Sequence, residues 1–132
     1  MTVKGKEKPL FWVGSSLKDL RDFPKDVKEE IGYALYQAQI GQKPLSAKPL
    51  KGFHGTTVLE VIEDFHTDTY RAVYTVKFAD AVYVLHAFQK KSKKGIETPK
   101  SDIELIKNRL KKAEESSKER LRRKEKENER QD

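Results

Sequence analysis

The chain has 132 residues, 36% of them apolar, with 28 Lys and Arg against 21 Asp and Glu, and no cysteine. That is enough apolar mass for one modest core, and it excludes disulfides, thiolate catalysis and thiolate zinc sites. No apolar run approaches the ~20 residues that cross a bilayer, and the lysine-rich start from Met1 to Lys8 has no apolar signal core behind it, so a cytoplasmic protein without membrane contact is expected.

Residues 1–9 carry charge and a proline but no periodicity, and read as a lead-in. Leu10–Val13, an apolar run between Pro9 and Gly14, predicts a short buried strand. Ser16, three residues before Asp19, resembles a capping box that opens a short helix ending near Phe23. After Pro24, the residues Val27, Ile31, Ala34, Leu35 and Ala38 fall on one helical face. Gly41, free to adopt a left-handed conformation, predicts the stop. The two helices are expected to form an antiparallel hairpin laid on a sheet.

Residues 42–55 contain Pro44, Pro49, Gly52 and Gly55 without period and read as a loop, made cationic by Lys43, Lys48, Lys51 and His54. Three strand-like runs follow, Thr56–Glu63, Thr69–Phe78 and Ala81–Gln89. The middle one alternates: Tyr70, Ala72, Tyr74, Val76 and Phe78 share one face, and Arg71, Val73, Thr75 and Lys77 share the other. One face is expected to be core and the other available. Ala79-Asp80 predicts an antiparallel hairpin, and Asp64 to Asp68 a looser turn. Thr98 is placed to cap a helix entered at Pro99, with Ile103, Ile106, Leu110 and Ala113 on its core face. From Glu114 to Asp132 seven cations balance seven anions, so the +7 of the chain resides in residues 1–113. The expected organisation is one domain over 1–113 and a partly helical, mobile charged tail over 114–132. The fold class is α+β: a small, mostly antiparallel sheet of about four strands, the helical hairpin on one face, and a C-terminal helix.

The chemistry is bounded by what is missing. His54, His66 and His86 are spaced by twelve and twenty residues, which fits no ligand pair, so no metal site is expected. Gly52 and Gly55 lack the setting of a phosphate loop, so no nucleotide cofactor is implied, and no nucleophile elbow is present. What remains is cationic. Arg71 lies on the face opposite the apolar stripe, Lys48 and Lys51 come from the loop before the sheet, and Lys90, Lys91, Lys93 and Lys94 cluster at its last strand. A compact cationic surface attracts polyanions, and RNA brings its own nucleophile in the 2′-hydroxyl, so its cleavage needs no metal. Arginine suits the phosphate because its fork holds two oxygens at once. The same residues admit plainer readings: Arg71 as a strand residue paired with Glu60, the lysine run as a solvated turn, and His86, alternating with Val82, Val84 and Phe88, as a buried, hydrogen-bonded core histidine.

The order of elements carries a resemblance. Val84-Leu85-His86-Ala87-Phe88-Gln89-Lys90-Lys91-Ser92, followed by Thr98-Pro99 and a helix, is similar to the closing strand, twin lysine and threonine-proline entry of the phage-derived HigB-like branch of the RelE/HigB toxin superfamily. Pro49-Leu50-Lys51-Gly52 and Tyr70-Arg71 followed by Val73-Tyr74 resemble that branch too, over about residues 9–113. The resemblance implies a RelE/ParE-like fold and a type II toxin that cleaves messenger RNA at the ribosomal decoding site without a cofactor, held in check by a helix-turn-helix antitoxin. It assigns Arg71 to the phosphate, Lys90 and Lys91 to the final catalytic positions, Lys51 to the RNA backbone and Glu60 to the base; Lys48, Lys93 and Lys94 are expected to bind RNA by their charge. One departure stands out: where the branch reads glutamate, leucine, arginine, this chain has Glu60, Val61, Ile62. A gyrase-poisoning relative on the same scaffold, and a catalytically degenerate module that binds only RNA or antitoxin, remain alternatives.

Overall fold

The computed structural model describes residues 7–90 and 97–131. Its elements in chain order are β1 (Leu10–Trp12), α1 (Ser16–Arg21), α2 (Lys25–Gln39), β2 (Ala47–Pro49), β3 (Val58–Phe65), β4 (Asp68–Thr75), β5 (Val82–Lys90) and α3 (Lys100–Gln131). The strands form one sheet in the order β1-β5-β4-β3-β2, antiparallel from β2 to β5, with β1 running parallel to β5 at the edge. The α+β expectation holds, with five strands instead of about four. The additional strand, β2, lies inside the stretch read as unbroken loop; three residues ending in proline carry no readable alternation, and Pro49 is tolerated because β2 is an edge.

The alternation of β4 is as read, but its consequence differs. Tyr70, Ala72 and Tyr74 join the core beneath α1 and α2, whose Leu20, Val27, Ile31, Ala34, Leu35 and Ala38 supply the helical side. The opposite face is not left available. Val73, Tyr83 and Leu85 pack there against Ile106 and Ala113 of α3, so β4 is buried on both faces. The amphipathic stripe of α3 needs an apolar surface, and the second face of the sheet is that surface.

Gly41 has φ +84 and its N–H donates to Ala38 O, ending α2 as predicted. At α1 the N-cap is Ser15, whose hydroxyl donates to Asp19 Oδ2 at 2.8 Å, whereas Ser16 is buried and donates to Val84 O of β5. The tight turn is the one at His66-Thr67, between the paired Phe65 and Asp68, with His66 at φ +57; the β4–β5 connection through Ala79-Asp80 is the longer. The charged tail is helical from Glu114 to Gln131, where it continues α3 without a break.

The far part of α3 stays attached to the sheet for two turns beyond Ala113. Ser117 is buried and donates to Asp80 Oδ1 at 2.6 Å. Arg120 donates to Tyr83 Oη at 2.7 Å and lies 3.5 Å from the centre of the Phe11 ring. Burial and the bond to Asp80 raise the Tyr83 phenol above its ordinary value, and the Arg120 guanidinium works against them. Residues 121–130 are exposed on every side.

Candidate functional site

Strand register sorts the candidate residues before any side chain is considered. Lys48 pairs with Glu60, Glu60 with Val73, and Val73 with His86, which makes one row across the sheet. The next row is Ile62, Arg71 and Phe88, and the one after it is Asp64, Thr69 and Lys90. Because side chains at paired positions share a face, Lys48, Glu60, Arg71 and Lys90 all project to the α3 side. A bulge in β5 opposite Val73 and Tyr74 puts Leu85 on this side as well and leaves His86 in register with Val73.

Arg71 is withdrawn from solvent, at 2% exposure, and so is Glu60 at 3%. Arg71 Nη1 donates to Glu60 Oε2 at 3.2 Å and to Thr98 Oγ1 at 3.3 Å, while the Thr98 hydroxyl donates to the same Glu60 oxygen at 2.6 Å. Arg71 Nε has no hydrogen-bond partner among the described residues. The pairing of Arg71 with Glu60 is thus present, one row off direct register, and buried rather than exposed. Burying two charges costs several kcal/mol per ion before their attraction is counted, so this pair is an expensive feature for a chain with few apolar residues to spare.

Just outside this triad the segment that leads into α3 gathers two lysines. Lys90 Nζ donates to the Glu97 carbonyl at 3.0 Å, and Lys51 Nζ lies 3.9 Å from Glu97 Oε1 with both groups largely exposed. Residues 97 and 98 therefore tie together the loop after β2, the end of β5, and the buried Arg71–Glu60 pair. Lys48 is exposed on the same side. Lys91, Lys93 and Lys94 lie outside the described residues.

His86 takes the plainer of its readings. It is 6% exposed, its Nε2 is 2.7 Å from Asp102 Oδ1, and its ring stacks on Phe88 at 4.8 Å. Arg109 completes this bracket, donating to Leu85 O at 2.9 Å and to Ser15 Oγ at 3.1 Å, with Nη1 3.5 Å from His86 Nδ1. Gly14 makes room for it: φ is +58 there, and a Cβ would sit 2.7 Å from Arg109 Nε. The bracket fixes the first turns of α3 on β5, and so fixes Thr98 against Arg71 and Glu60.

Sequence reading missed Thr98 as a partner of the buried pair, and missed Asp102, Arg109 and Arg120 altogether. Thr98 was assigned to the helix cap by its place before Pro99, a local signal; its actual partner is Glu60, 38 residues away. No group of three His, Asp or Glu side chains suited to a metal ion occurs among the described residues, and none of the described helices is long and apolar enough to cross a membrane.

Comparison with curated proteins and with solved structures gave no match. The family described as Phage derived protein Gp49-like (DUF891) matches residues 18–111, from α1 to the proximal part of α3, and so takes in Lys48, Lys51, Glu60, Arg71, Lys90 and Thr98. The chain therefore belongs to the phage-derived Gp49-like family, a family associated with toxin–antitoxin systems.

Proposed function

We propose that this protein is the toxin of a type II pair, a metal-independent endoribonuclease of the RelE/HigB kind that cuts messenger RNA on the ribosome and is neutralised by a helix-turn-helix antitoxin. One observation carries the reading: Lys48, Glu60, Arg71 and Lys90 occupy a single sheet face, with Lys51 brought to its margin by Glu97. Family membership makes the toxin role the natural context for such a face.

In this proposal Lys51, Lys48 and Lys90 neutralise the RNA backbone, with Lys91, Lys93 and Lys94 extending the cationic surface. Arg71 reaches the scissile phosphate after Thr98 moves aside, and its guanidinium then holds the charge that develops on the phosphorane. Glu60, released from Thr98, takes the 2′-hydroxyl proton; the 2′ oxygen attacks phosphorus, the bond from phosphorus to the 5′ oxygen breaks, and Lys90 or Lys91 returns a proton to that oxygen. The products are a 2′,3′-cyclic phosphate and a free 5′-hydroxyl, so atoms and charge balance without a cofactor.

The test is transcript mapping in cells expressing the wild-type chain, with Lys51→Ala, Lys90→Ala and Arg71→Lys compared at matched folded protein. Cleavage within translated regions that Lys90→Ala weakens by tenfold or more, on the scale of general acid–base contributions of roughly 10²–10⁴, is the expected result. Intact transcripts under wild-type expression would sink the reading.

A second reading rests on a specific contact pair. Ile62 stands directly across from Arg71, at the position where the resembling branch carries arginine. With one guanidinium there in place of two, and that one engaged by Glu60 and Thr98, the face suits binding without cutting. Ile62→Arg separates the two: a gain of cleavage over a silent wild type selects the binding module.

A further inference from the structure

Five large apolar side chains stand exposed among the described residues: Tyr33 at 61%, Tyr36 at 44%, Ile40 at 38%, Leu45 at 106% and Leu121 at 43%. Their positions are not scattered. Tyr33, Tyr36 and Ile40 continue a series that begins at Asp26 and Glu29, in steps of three and four along α2, and Leu45 follows in the turn after it. Such steps make one straight stripe, on the side of α2 opposite Val27, Ile31, Ala34 and Ala38, which face the sheet. Scattered apolar residues on a surface need no explanation; a stripe at helix-pairing spacing does.

The charge around that stripe runs against the charge of the whole. The chain has a net charge of +7, yet along the first half of α2 Asp26, Glu29 and Glu30 outnumber Lys25 and Lys28, and Glu63 of β3 lies close enough to Glu30 to feel its charge. Burial, then the charges of Glu30 and Asp64, raise Glu63 above the ordinary carboxylate value.

The fifth exposed side chain, Leu121, has the opposite setting. It sits on the part of α3 that leaves the sheet after Arg120, where 118–126 holds Lys118, Arg120, Arg122, Arg123, Lys124 and Lys126 against only Glu119 and Glu125. At about 1.5 Å per residue, the exposed stretch 121–130 reaches ~15 Å past its last anchor. This arm also lies outside the residues 18–111 that the family shares.

We propose that the arm of α3 from one copy docks on the outward stripe of α2 in a second copy, Leu121 entering among Tyr33, Tyr36 and Ile40, and the arginines and lysines of the arm meeting Asp26, Glu29 and Glu30. If each copy gives one arm and receives one, the contact is made twice and the assembly closes as a twofold dimer. The occupant is a second copy because these two exposed apolar sites, both among the described residues, lie in settings of opposite charge. The proposal is independent of RNA cleavage.

Sedimentation of the full-length chain over a concentration series tests it. The expected species has twice the mass of one chain in the micromolar range. Tyr33→Asp, Leu121→Asp and the pair Arg122→Glu with Arg123→Glu each weaken it by about tenfold or more, as loss of a central contact does. All four positions are exposed, so a circular dichroism melt unchanged from wild type distinguishes lost assembly from lost folding. Glu29→Lys with Glu30→Lys also breaks the dimer and, combined with the Arg122→Glu and Arg123→Glu chain in one mixture, restores a heterodimer. A chain that is monomeric throughout the series, or a dimer indifferent to these variants, overturns the proposal; an α2 face that instead captures an antitoxin while the free chain stays monomeric overturns it as well.

Discussion

The two faces of the sheet are both buried, yet they are built differently. Beneath α1 and α2 the strands contribute Leu59, Val61, Tyr70, Ala72, Tyr74, Val82, Val84 and Ala87, and among the described residues the one buried side-chain polar atom left without a partner there is Tyr74 Oη. Beneath α3 the same strands carry all five of their buried polar or charged side chains: Glu60, Thr69, Arg71, Thr75 and His86. The first face is optimised for burial alone. The second carries a buried charged pair, whose desolvation cost largely offsets its attraction, and a buried histidine, and a cost of that kind marks the face where chemistry is to be sought.

The largest test of this contrast is Arg71→Ala, which strands Glu60 in a buried site and should lower stability by about 3–5 kcal/mol in urea melts. Replacing both members, Arg71→Met with Glu60→Leu, should recover most of that loss. A double variant as unstable as the single one would show the pair to be structurally indispensable.

Next in size is a matched truncation. Ile31 in α2 and Ile106 in α3 are both fully buried, and Ile31→Ala and Ile106→Ala should each cost about 2–5 kcal/mol. Equal costs place the difference between the faces in their polar groups alone. A much cheaper Ile106→Ala would mean that α3 is loosely held and the contrast is one of packing.

Tyr74→Phe bears on the apolar face. The hydroxyl is fully buried without a partner among the described residues, and burial pushes its pKa up to about 12. Its removal should stabilise the chain by about 1 kcal/mol in thermal melts, since the desolvation cost of an unsatisfied group is ~1–3 kcal/mol.

The smallest effect belongs to Glu63, on the α2 side and half-buried. Its raised pKa means that ionisation is harder in the folded than in the unfolded chain, so its contribution to stability falls as pH rises from the ordinary value of 4.5 through the raised one. Glu63→Gln should therefore stabilise by a few tenths of a kcal/mol at neutral pH, after allowance for solvent screening, and the advantage should vanish below pH 4.5.

How far the residues disclosed this arrangement can be traced position by position. The steps of α2, the stop at Gly41 and the alternation of β4 are local patterns, and they were legible. The coverage of the Arg71 face was not, because it depends on where α3 returns, and Ile103, Ile106 and Leu110 say only that α3 needs some apolar partner. The place of Lys48 beside Glu60 was not legible either, because β2 lies in a stretch that reads as loop and only the register puts Lys48 on the face of Glu60, Arg71 and Lys90. The contacts of Thr98 with Glu60 and of Asp102 with His86 are made across 38 and 16 residues between a strand and a helix entry, where no periodicity operates. Ser15 and Ser16 differ by one position, which is the ordinary uncertainty of a helix start.

The parallel pairing of β1 has a consequence for synthesis. Leu10, Phe11 and Trp12 find their ladder partners only at Val82, Tyr83 and Val84, so the strand of this sheet that is made first is the last to be paired. While β2 to β4 emerge, this apolar stretch has no backbone mate, and closing so long a loop is slow compared with the hairpins that form within it. Phe11 then waits further, for Arg120 to arrive over its ring. The nascent chain thus cannot complete its sheet before β5, or assemble the Arg71 face before α3, has been made, which delays any activity of that face until α3 has emerged.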